Sequence, residues 1–248
     1  MKKTAGLFLI IFVVLSYGDV VYEMSTVTRG MMGMGDSNSN VRVFIKGDMS
    51  RTEITPIDTA IHGVPDAVIM RLDKGVIWVL DDEHKEYSET VINETADIPA
   101  SAGDSEAVKL PEIKVEKTGN KKVILQKECE EVTLSMSLDA DGGDLSLTQT
   151  LWVTTDVPGY EELSCFTEKV TALGVTMSSS SLTADKKAYH AFQQKLNEIE
   201  GFPLETDISM SMGSVTFSVT NTITKIDTIS IHPRVFEIPA GYTLKKEE

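Results

Sequence analysis

Apolar and polar side chains alternate through residues 204–212 and again through 214–225, and this two-residue period constrains the fold more than any other feature of the chain. In the second run Val215, Phe217, Val219 and Ile223 share one parity, and Ser214, Thr216, Ser218, Thr220, Thr222 and Thr224 share the other. In the first run Leu204, Thr206, Ile208, Met210 and Met212 alternate with Glu205, Asp207, Ser209 and Ser211. Each run reads as a strand with one dry and one wet face. Gly213-Ser214 between them reads as a hairpin turn, so the two are expected to pair antiparallel.

The same signature recurs upstream. Strands are expected over 20–28, 41–46, 49–57, 67–72 and 76–80, the last two joined by Asp73-Lys74-Gly75. Acids, small residues and Pro99 then break the rhythm, and 93–112 is expected to be a surface loop. Strands resume over 113–117, 122–138 (with an irregularity near Cys129) and 145–154, with a polar turn at 139–144. Two helices interrupt them. One spans about 156–174, with Pro158 in its first turn and Leu163, Phe166, Val170 and Leu173 at helical spacing; the other spans about 183–200, with Tyr189, Phe192, Leu196 and Ile199 along one stripe. Both helices need an apolar surface, and the strands offer one dry face. The expected fold is therefore α+β and mainly β: a single domain over 19–248 in which a curved antiparallel sheet, a half-barrel, carries helices on its concave face.

The start of the chain has a different character. Lys2 and Lys3 precede an apolar run over 7–15, and Ser16-Tyr17-Gly18 places small residues at the −3 and −1 positions of a cut before Asp19. Residues 1–18 are thus expected to be a secretory signal peptide, the run being shorter than the roughly 20 apolar residues a spanning helix requires. No cysteine occupies position 19, so no acyl anchor is expected. The expected location is the periplasm or the extracellular space.

A formal charge of −15 opposes phosphate backbones and anionic lipid surfaces, and no Lys/Arg cluster rises against it, so no nucleic-acid partner is expected. Two cysteines occur, Cys129 and Cys165. Export makes a disulfide between them possible, and two separate thiols behaving as small hydrophobes are the alternative.

Candidate chemistry is thin. The run Gly30-Met31-Met32-Gly33-Met34-Gly35 has thioethers suited to copper(I), but with no histidine beside it in sequence the reading is a glycine-rich hairpin tip. Asp139, Asp141 and Asp144 imitate the start of a calcium loop whose twelfth position, where a bidentate Glu is required, is Thr150. A polar turn explains them better. His62, His84, His190 and His232 are scattered, and no metalloprotease, nucleophile-elbow, P-loop or dinucleotide motif is present. No metal, cofactor or catalytic residue is assigned, and a non-enzymatic role is expected.

Four blocks are familiar: Met70-Arg71-Leu72-Asp73-Lys74-Gly75 with Trp78-Val79-Leu80-Asp81; the stretch from Leu151-Trp152 through Asp156-Val157-Pro158-Gly159-Tyr160; Glu200-Gly201-Phe202-Pro203-Leu204; and Phe236-Glu237-Ile238-Pro239-Ala240-Gly241-Tyr242. In this order they resemble a bacterial envelope family carried as a domain of unknown function, DUF4412, which looks related in fold to LolA-like lipoprotein carriers. That resemblance implies an antiparallel sheet wrapped around helices with a cavity between. The expected function is a periplasmic carrier sheltering a lipid or acylated peptide, lined by Trp78, Trp152, Leu163, Phe166, Phe192, Leu196, Val215, Phe217 and Val219. Two alternatives are a structural or regulatory protein that contacts an envelope protein, and a hydrolase whose site one sequence does not reveal. A filled core favours the scaffold over the carrier.

Overall fold

The computed structural model describes residues 18–30, 36–57, 65–92, 112–138, 145–173, 186–212 and 215–245. The expected signal peptide, the methionine run from Met31 onward, the loop up to residue 111, the Asp139–Asp144 turn and the Gly213-Ser214 turn lie outside them.

The described residues build a 12-stranded sheet that does not close into a barrel, with two helices. Six strands come from the N-terminal half: β1 (Asp19–Arg29), β2 (Ser37–Lys46), β3 (Met49–Pro56), β4 (Ala67–Arg71), β5 (Val76–Asp81) and β6 (Glu86–Val91). After them come β7 (Ile113–Ile124), β8 (Lys127–Leu138) and β9 (Leu145–Thr154), then α1 (Tyr160–Ala172) and α2 (Lys186–Asn197). The chain ends with β10 (Phe202–Met212), β11 (Val215–Ile229), a 3-10 turn at Pro233–Phe236 and β12 (Thr243–Leu244). The order across the sheet is β12-β6-β5-β4-β3-β2-β1-β11-β10-β9-β8-β7. Neighbours are antiparallel except β12, which lies parallel to β6. The expected hairpin of 204–225 is present, with Met210 opposite Phe217 and Ile208 opposite Val219.

Three details depart from the sequence reading. The stretch 122–138 is not one strand: the chain reverses at Leu125 and Gln126, which take φ of 49° and 64°. A reversal with two consecutive left-handed residues normally carries Asn or Gly, so its sequence signal was missing. The irregularity expected near Cys129 instead lies in β7, where the register slips between Lys117 and Lys121. Third, β6, β12 and the 3-10 turn were not anticipated.

Both helices pack on the same face. Strand parity puts Val20, Tyr22, Val41, Val43, Ile45 and Met70 on the side that meets Leu163 and Phe166 of α1. Further along, Val132, Leu134, Met136, Leu147 and Leu151 meet Phe192 of α2 on the continuation of that face. α1 is also pinned at its ends: Gly47 N donates to Glu162, Lys169 pairs with Asp48 at 2.5 Å, and Gly201 N donates to the Tyr160 hydroxyl at 3.2 Å. Gly159, at φ 71°, starts this helix against Val20, where a β-carbon would collide.

The single dry face is the expectation that needs correcting most. β4 is buried on both sides: Met70 faces the helices, while Ala67, Ile69 and Arg71 face the opposite way. That far face is covered by residues 231–242, a strap whose Ile231 and Phe236 are buried against Ile69, Trp78 and Leu80. Each such fully buried apolar side chain contributes about 1.5–3 kcal/mol.

Candidate functional site

The nine residues expected to line a cavity do not converge on one. Leu163, Phe166 and Phe192 are buried and fill the space between helices and sheet, with Leu196 packed beside Phe192. Val215, Phe217 and Val219 do share the helix face, and they range from half-buried to 39% exposed at Val215. Trp78 lies on the far face, its Nε1 donating to Glu89 at 2.8 Å beneath the strap. Trp152 has the parity opposite to Leu151 and Val153, and its ring sits 5.2 Å from Lys122 Nζ, which also pairs with Glu205 at 2.6 Å. The disulfide does not form. Cys129 is a buried free thiol in the α1 core and Cys165 an exposed one, because the stripe Leu163-Phe166-Val170 turns residue 165 away from the sheet. Burial pushes the Cys129 thiol up, against the pull of a backbone hydrogen bond and of Lys122.

Two recesses stand out among the described residues. The first, about 240 Å³, is lined by Leu125, Lys127, Val157, Pro158, Leu204 and neighbouring residues of β11, where the Leu151–Tyr160 and Glu200–Leu204 blocks meet. Its two lysines are engaged, Lys127 with Asp156 at 2.9 Å and Lys225 with Asp227 at 2.9 Å. The second, about 300 Å³, lies between β7 and the end of α2. Ile113, Val115, Val132 and Ile199 give it apolar walls, and Lys117, Lys195 and Glu198 its polar ones. Ile113, Val115 and Lys117 stand opposite Met136, Leu134 and Val132, so this cleft opens on the helix face. Because β7 is the last strand in the sheet order, the cleft is also at the sheet's edge. Sequence reading missed it, because β7 looked like two fragments and its side chains were not in register with anything. The alternation Ile113, Val115, Lys117 was the available signal.

A third constellation is polar. Arg71, 6% exposed, donates to Asp73 through Nε and Nη2 at 2.8 and 2.7 Å, and through Nη1 to Glu237 at 2.5 Å and the Phe236 carbonyl at 3.2 Å. Lys74 reaches Glu237 at 3.2 Å. The Arg71 guanidinium holds the Asp73 carboxyl below the usual carboxylate range; at Glu237, desolvation pushes the other way and the bonds from Arg71 and Lys74 outweigh it. Two of the familiar blocks, Met70–Gly75 and Phe236–Tyr242, thus meet at one buried guanidinium. No group of three or more His, Cys, Asp or Glu able to hold a metal occurs among the described residues. No helix among them is long and apolar enough to cross a membrane.

Fold and site together define a mainly β protein with an open sheet, a two-helix cover on one face and a latched C-terminal strap on the other. Residues 27–242 match the family described as Domain of unknown function (DUF4412), and the chain belongs to that family. No curated protein matches it significantly. Among solved structures, PNGF-II aligns over 92% of this chain at 13% identity and a TM-score of 0.38; the chain spans only 31% of that protein's length. A domain from Vibrio parahaemolyticus assigned to outer membrane lipoprotein sorting aligns over 90% of both chains at 10% identity and a TM-score of 0.34. A DUF1329 family protein from Desulfovibrio piger aligns over 90% of both at 10% identity and a TM-score of 0.33.

Proposed function

We propose that this chain is an exported, non-catalytic binding protein that shelters an apolar chain between its sheet and its helices, in the cleft between β7 and α2. The observation that carries this reading is the cleft itself: about 300 Å³, walled by Ile113, Val115, Val132 and Ile199 and open at the edge of the sheet. An apolar recess with a few polar groups at its margin is the usual form of a small-molecule site, and 300 Å³ lies at the lower end of their range. No bond is made or broken in this role. The N-terminal sequence supports export, with cleavage before Asp19.

The test is uptake of a neutral fluorescent acyl probe by protein stripped of lipid. Val115→Asp places a charge in the apolar wall and is expected to lower affinity at least tenfold. Val123→Asp, on the same strand but 70% exposed and outside the cleft, is expected to leave it unchanged, with circular dichroism as the fold control. Absence of saturable uptake by the wild-type protein would favour the second reading, a scaffold for an envelope protein. One observation supports that second reading: Leu163, Phe166 and Phe192 are buried and fill the space beneath the helices with the protein's own side chains.

A further inference from the structure

β7 carries four lysines, and three are engaged: Lys114 with Glu116 at 3.0 Å, Lys121 with Glu128 at 2.7 Å and Lys122 with Glu205 at 2.6 Å. Lys117 makes no ion pair among the described residues. It is also the one lysine of this strand that lines the cleft, following Ile113 and Val115 along the same parity. Across the cleft Lys195 is held by both carboxylate oxygens of Glu198 at 2.8 Å, so that pair is neutral and Lys117 supplies the net charge. In a chain of formal charge −15, a cation with no ion-pair partner among the described residues, set beside an apolar wall, is a place where an anionic headgroup gains and a cationic one loses.

We infer that the cleft selects a single-chain carboxylate, a free fatty acid, with its chain along Ile113, Val115, Val132 and Ile199 and its headgroup on Lys117. This rests on the binding role proposed above and adds the ligand class. The volume argues for one chain: about 300 Å³ lies at the lower end of the range for small-ligand sites, and two acyl chains side by side call for more. The charge argues for the headgroup, since at Lys117 a carboxylate gains a hydrogen bond between two opposite charges, whereas an alcohol offers only a neutral acceptor and a quaternary amine offers none. Acidic side chains elsewhere on the protein oppose non-specific uptake of the same anion, so selectivity comes from position.

Decanoate, decanol and decyltrimethylammonium are to be compared by displacement of N-phenyl-1-naphthylamine from the full chain at low salt, with phosphatidylglycerol vesicles as a fourth competitor. The expected order is decanoate, then decanol, then the cation, with a decanoate-to-decanol ratio of about five- to tenfold. Lys117→Ala is expected to reduce that ratio to near one, and Lys117→Glu to invert the preference toward the cation. Added salt is expected to weaken decanoate alone. Equal affinity of wild type for decanoate and decanol would overturn the inference while leaving the binding role intact. So would a Lys117→Ala variant that keeps the ratio, or extraction of phosphatidylglycerol in preference to decanoate. Failure of the wild-type protein to take up the probe or decanol at all would overturn the binding role and this inference together.

Discussion

Arg71 shows how one side chain can join distant parts of the sequence. It sits at the end of β4, where strand parity directs it to the far face, and its guanidinium is desolvated by the strap it binds. A buried cation is tolerated only with its hydrogen bonds satisfied, and Asp73, Glu237 and the Phe236 carbonyl satisfy it. Arg71→Ala is expected to cost about 3 kcal/mol in urea denaturation, and Arg71→Lys to recover less than half, because an ammonium cannot reproduce the planar fork. The pH dependence has a definite sign. The folded-state pKa values of Asp73 and Glu237 are lowered, so their contribution is present above their unfolded values of 3.8 and 4.5 and is lost as pH falls through the folded values. Stability measured from pH 6 down to 3 should therefore fall more steeply in wild type than in Arg71→Ala. Equal slopes would detach the acid sensitivity from this network.

At the scale of elements, the β7–β8 hairpin and the strap show different ways of escaping a sequence reading. The hairpin turns at Leu125-Gln126, two residues that gain nothing from left-handed backbone, flanked by Ile124 and Lys127. Gln126→Gly removes a left-handed non-glycine residue at φ 64° and is expected to stabilise the protein by about 0.5–1 kcal/mol, read as a higher thermal midpoint. An unchanged or lower midpoint would mean that the Gln126 side chain contributes more than its backbone costs. The strap is held by few backbone bonds and many side chains. Asp19 accepts from both Lys46 and the Ile231 N–H at 2.7 Å, Arg51 reaches the Val235 carbonyl at 3.3 Å, and Tyr242 donates to Asp82. Such a segment has no periodicity to find. Its signal was compositional, aromatic and apolar residues spaced among prolines after β11.

For the whole molecule, the defining contact is β1 against β11, which closes the N-terminal and C-terminal arms into one sheet across nearly the full chain length. The strap completes that closure on the far face. A chain ending at Ser230 would uncover Ala67, Ile69, Trp78 and Leu80 together. In a Trp152→Phe background, which leaves Trp78 as the sole tryptophan, the truncated chain is expected to show red-shifted emission and concentration-dependent association. Unshifted emission from a monomer would show that the strap is not what keeps Trp78 dry. The local alternation of residues 204–225, the turn at Asp73-Lys74-Gly75 and the stripes Leu163-Phe166-Val170 and Phe192-Leu196-Ile199 were enough to determine strands, helices and the mainly β class. These depend on side-chain period, a property of neighbours in sequence. Which face each strand presents, that β4 is buried on both, that Trp78 stands away from the helices, and that Lys117 meets an apolar wall were decided only by tertiary structure. Register and strand order are pairings between residues tens to hundreds of positions apart, and local periodicity carries no information about the partner.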